Sequence, residues 1–128
     1  MEEPGQLNWA AIHRSAGPYP PEAFAFVQHG LRYTIDQIRR HDPSMPEEGR
    51  HVSGQELCLG LRDFAVRQYG LLARTVFSRW NITQTDDFGR IVFAMVEHGL
   101  MRKTDEDSID DFRSVYDFEE AFETLEVA

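Results

Sequence analysis

The chain has 128 residues, is 41% hydrophobic and 12% aromatic, and carries a net charge of −9. This is enough apolar material for one folded domain, 1–128, and it excludes wholesale disorder. Cys58 is the single cysteine, which excludes an intrachain disulfide and a multi-cysteine metal site and fits a reducing, cytoplasmic compartment.

The charge is unevenly placed. Residues 1–50 are net −2, residues 51–103 net +2 and residues 104–128 net −9. An acidic end of this kind repels phosphate backbones and suits solubility or a basic protein partner better than nucleic acid. The start, Met1-Glu2-Glu3-Pro4, is acidic rather than signal-like. Apolar runs such as Ile91–Val96 fall far short of the ~20 residues that a membrane span requires.

Residues 1–19 read as an irregular arm, with a short helical turn at Trp9–His13 and Trp9 docked on the domain. A first helix over 21–41 follows Pro20-Pro21, since proline at the first helical position removes only a donor that would be orphaned anyway. Phe24, Val27, Leu31, Ile35 and Ile38 recur at helical steps. Gly30 inside this helix costs up to ~1 kcal/mol relative to alanine. Residues 42–52 form a linker, because Pro43, Pro46 and Gly49 forbid a continuous helix.

Ser53 and Glu56 predict a capping box opening a helix over 53–69, with Leu57, Leu61, Phe64 and Ala65 inward, Cys58 beside them and Gly70 as the stop. A shorter helix over 71–80 places Leu72, Val76 and Trp80 on one side, and Asn81 can end it. The helix over 85–98 has Thr85 as its expected cap and Asp86-Asp87 in the first turn, where the helix dipole favours anions. Phe88, Ile91, Val92, Met95 and Val96 give its apolar face, and Gly99 its stop. Met101–Thr104 is then a strand candidate and Asp105–Asp111 an acidic loop. The alternation through Phe112–Phe118 favours a second strand. A helical reading competes there, because Ser108 with Asp111 resembles a cap. Residues 119–128 form an acidic tail. The expected core is Phe24, Val27, Leu31, Leu57, Leu61, Phe64, Leu72, Val76, Phe88, Ile91, Val92, Met95 and Leu100.

Three helices, then Glu97-His98-Gly99-Leu100-Met101-Arg102-Lys103 and a polar hairpin, resemble a winged-helix domain over 53–118. The implied fold class is mainly α, a winged-helix-like three-helix core with a short β-hairpin plus an N-terminal helix. The chain is also similar to a small uncharacterised bacterial protein family without assigned activity. The segments that carry this likeness include Tyr19–Phe24, Arg50–Leu57, Tyr69–Val76, Asp87–Phe93 and Tyr116–Phe122. That family implies no catalytic residue.

In a DNA-reading winged helix the third helix enters the major groove. Here Asp86, Asp87 and the acidic loop would face phosphates. Asp105, Asp107 and Asp111 imitate calcium-loop spacing, but Ile109, Asp110 and Tyr116 stand where an EF-hand requires a ligand, a glycine and a glutamate. No phosphate loop, dinucleotide fingerprint or nucleophile elbow is present. The residues therefore imply no catalytic site, metal or cofactor. The leading expectation is a non-enzymatic, acidic protein–protein interaction module, with self-association open. The competing one is a nucleic-acid binder using the arginines of the second and third helices. The candidate surface for either is Arg62, Arg67, Arg74, Arg79, Arg90 and His51. A third reading puts an enzyme site at the arm–core junction near His51 and Trp9.

Overall fold

The computed structural model describes residues 17–45 and 51–123. The readings placed on Trp9–His13, on 46–50 and on 124–128 lie outside them. Five α-helices follow in order: α1 (Pro21–His41), α2 (Gly54–Tyr69), α3 (Ala73–Arg79), α4 (Thr85–Glu97) and α5 (Phe118–Glu123). Two 3₁₀ turns, Gly70–Leu72 and Ile109–Phe112, join them.

α1 lies mainly against α2 and also touches α4. Its packing on α2 is keyed by two glycines. A Cβ on Gly30 would overlap the end of Leu61, and one on Gly60 would sit 2.8 Å from Thr34 Cβ. Each helix thus presents a notch to a side chain of the other. Thr34 Oγ1 also donates to the Gly30 carbonyl at 2.7 Å, so this buried hydroxyl has an acceptor. The helix-propensity cost of Gly30 is the condition for this close approach.

Phe77, on α3, is fully buried at the centre of an aromatic cluster. Its ring lies 5.4 Å from Phe26, 5.5 Å from Phe88 and 5.7 Å from Phe122. Burying a side chain of this size stabilises the fold by roughly 1.5–3 kcal/mol. Phe112 closes the other side, fitting against Gly54 of α2 and Gly89 of α4. The Ser53–Glu56 capping box forms as the sequence predicts, at 3.1 Å for both bonds. Asn81 ends α3 with φ 62°, and its amide donates to the Pro18 carbonyl at 2.8 Å.

The mainly helical expectation holds, but the expected short β-hairpin of a winged helix is overturned. Among the described residues there is no strand, so neither Met101–Thr104 nor Phe112–Phe118 forms a wing. The reason lies in where the backbone hydrogen bonds go. Thr104 N–H donates to Asp107 Oδ2 at 2.8 Å. Ser108 Oγ accepts from Asp110 N–H and Asp111 accepts from Ser108 N–H, the local cap that the competing helical reading requires. The Phe112 carbonyl accepts from Thr85 Oγ1 at 2.7 Å, Val115 N–H donates to the same hydroxyl at 3.0 Å, and Ser114 N–H donates to Asp86. Side chains opening α4 thereby occupy groups that a hairpin would pair.

Thr85 is accordingly not the cap of α4. It is fully buried, and Gln84 takes the cap position. The core also departs from expectation on α3. Ala73 and Phe77 face inward, whereas Val76 and, on α2, Phe64 are only partly buried, and Leu72 is exposed.

Candidate interaction surface

The residues singled out in the sequence do not converge. His51 Nε2 lies 2.7 Å from Asp107 Oδ1, which ties the loop after α4 to the approach to α2. Burial pushes the Asp107 carboxyl up, but the Thr104 N–H and the His51 ring outweigh it and hold the carboxyl below its usual range. Arg62 Nε donates to the Ala121 carbonyl on α5 at 3.3 Å. Arg67 pairs with Asp63 at 3.4 Å and sits 5.7 Å from the Tyr33 ring centroid. Tyr33 in turn donates to Asp63. Arg90 pairs with Asp87 at 2.6 Å. Arg74 borders a polar cleft of about 440 Å³ with Asp86, Asp117 and Glu119, while Arg79 is exposed on α3.

Asp87 is a buried hub rather than a free charge at a helix tip. Its Oδ1 accepts from the Tyr19 hydroxyl at 2.5 Å and from Arg90, and its Oδ2 accepts from the N–H groups of Thr83 and Gln84. Desolvation, and then the bond to Asp87, push the Tyr19 hydroxyl up to about 12. Asp86 is likewise occupied by Ser114 N–H. These aspartates hold the fold together at the start of α4.

No group of three or more His, Cys, Asp or Glu side chains gathers to hold a metal among the described residues. Cys58 is buried, and desolvation followed by the nearby Asp86 push its thiol up to about 12, far from a reactive thiolate. No helix among the described residues is long and apolar enough to cross a membrane.

The feature that the residue-by-residue reading missed is Leu71-Leu72. These side chains are 62% and 64% exposed, adjacent, and set on the 3₁₀ turn between α2 and α3. Gly70 (φ 53°) redirects the chain there. Once Ala73 and Phe77 turn inward, the helix phase carries Leu71 and Leu72 outward. The large exposed hydrophobics elsewhere, Leu59 and Ile109, stand singly. Tyr69, immediately before this turn, also lines a cleft of about 510 Å³ floored by Phe26, Phe64 and Trp80. Two leucines directly after a helix-stopping glycine were the available signal, because a short helix cannot turn both of them and Phe77 to one core.

No protein-family model, curated protein or solved structure matches the chain.

Proposed function

We propose that this protein is a non-enzymatic, acidic protein–protein interaction module acting in the cytoplasm. The observation that carries the proposal is the adjacent exposed pair Leu71-Leu72 beside an aromatic cleft. Exposed leucines are ordinary singly; two in succession, just beyond a tyrosine that lines an aromatic-bearing cleft, are a composition that interfaces favour. Burying each leucine would contribute roughly 1.5–3 kcal/mol, about tenfold in affinity or more. The polar groups around the cleft beside Arg74 are engaged in holding the fold, which supports a binding rather than a catalytic role. Asp86 and Asp117 accept backbone N–H bonds, and Tyr116 donates to the Cys58 carbonyl at 2.9 Å.

The test is affinity capture by the full chain from its native host, compared with a Leu71→Ser, Leu72→Ser double variant. The expected result is a stoichiometric protein partner whose recovery falls at least ~10-fold in the variant, with the thermal midpoint unchanged. Equal recovery by both forms, or no partner at high expression, refutes the reading.

A further inference from the structure

We infer that the Leu71–Leu72 face receives an acidic, amphipathic helix of another protein. This rests on the interaction reading above and adds the chemistry of the partner. Charge carries the inference. Arg74 and Arg79 of α3 are exposed next to Leu71 and Leu72 in a chain that is net −9, while Arg67 on α2 is paired with Asp63. On α3 the inward positions are Ala73 and Phe77, so Arg74, Thr75, Ser78 and Arg79 share the exposed side that Leu71 and Leu72 begin. Leu71 to Arg79 spans about 12 Å at helical rise, roughly two turns of a partner helix. Guanidinium groups stay charged at any physiological pH and pair with carboxylates in a fixed fork. A helix with apolar residues at helical spacing and carboxylates flanking them meets both halves of this face.

The other occupants fit less well. A two-fold contact whose axis passes through this face would set the same arginines against one another. A basic segment meets the same repulsion. Nucleic acid is attracted to arginines, but its phosphates gain nothing from the two leucines. Its length would also bring it onto Asp86, Asp117 and Glu119, which border the cleft beside Arg74. The same carboxylates oppose an acidic helix near Arg74, so Arg79 is its main pairing cation.

The experiment places a photo-reactive benzoylphenylalanine at position 72 of the full chain in its native host, with the same probe at Glu120 as the reference. Adducts are identified by mass spectrometry. The expected adduct is a peptide of another protein that is rich in Asp or Glu and bears leucine-type residues at helical spacing. Its yield should fall about tenfold with Arg74→Glu plus Arg79→Glu and remain with Arg40→Glu. Raising the salt in a lysate should lower the same yield without any substitution, so a poorly folding variant does not block the test. An adduct with a second copy or a basic segment, or a yield indifferent to charge reversal and to salt, overturns the acidic-helix inference and leaves the interaction reading standing. An adduct with nucleic acid alone, or none above the Glu120 reference, overturns both.

Discussion

Replacing Asp87 tests whether the buried hub at the start of α4 holds the N-terminal approach to the fold. Asp87→Ala removes the acceptor of four donors at once. The Tyr19 hydroxyl, in a residue only 2% exposed, is left without it at a cost of about 1–3 kcal/mol. Loss of the acceptor for Thr83 and Gln84 N–H costs about 1 kcal/mol, as for other helix caps. Arg90 is half exposed and returns to water at a cost of roughly 0–1 kcal/mol. The expected loss is therefore about 2–5 kcal/mol, large against a typical stability of ~5–15 kcal/mol. Equilibrium urea unfolding measures it directly. Tyr19→Phe alone should cost about 1 kcal/mol, and the double variant should show a coupling of about 1–2 kcal/mol. The hub also has a pH signature. The folded hydroxyl of Tyr19 titrates near 12 rather than 10, so above pH 10 the unfolded chain loses this proton first. Stability should then fall between those values, less steeply in Tyr19→Phe. A loss under ~1 kcal/mol for Asp87→Ala, or additive single effects, would refute the hub.

Gly60→Ala should destabilise by about 1–3 kcal/mol, because its Cβ meets Thr34 and the strain exceeds the helix-propensity gain of about 1 kcal/mol. A stabilised variant in urea melts would contradict the close crossing of α1 and α2. Asp107→Asn should flatten the acid limb of the stability profile. Its folded carboxyl lies below the ordinary range, so its contribution is complete above about pH 4 and disappears as pH falls through the lower folded value. An unaltered acid limb would argue against the His51–Asp107 tie. Cys58 should resist thiol reagents at pH 8 in the native state and react on unfolding, and rapid native labelling would exclude its burial.

Much of the helical framework was readable because its signals are local. The box at Ser53 and Glu56 and the apolar spacing of Phe88, Ile91, Val92 and Met95 act within one helix. The absent wing was not readable, because alternation at Phe112, Tyr116 and Phe118 says nothing about where the intervening backbone groups find partners. Thr85, 27 residues before Phe112, supplies one of them. Leu72 misled through its hydrophobicity. The choice between Leu72 with Val76 and Ala73 with Phe77 as the inward pair is a question of helix phase, and the aromatic cluster around Phe77 decides it. The candidate surface escapes the sequence for the same reason: the spacing assigns Leu72 to the core. Of the six residues first singled out, Arg74 and Arg79 fall on the proposed face. The others are engaged at separate places along α1, α4, α5 and the loop of Asp107.

The paired notches at Gly30 and Gly60 leave α1 and α2 one register in which Leu61 and Thr34 both have room. Sliding either helix by a residue would drive a side chain into a filled position. The angle and offset of the two helices are therefore written into the helices themselves, while the connection is anchored separately by buried Met45 and Val52 and by the His51–Asp107 pair. Doubling the length of such a connection costs about 0.6 kcal/mol in closure entropy. Evolution can thus vary the length of the α1–α2 connection between Met45 and His51 while the crossing of the two helices keeps its place.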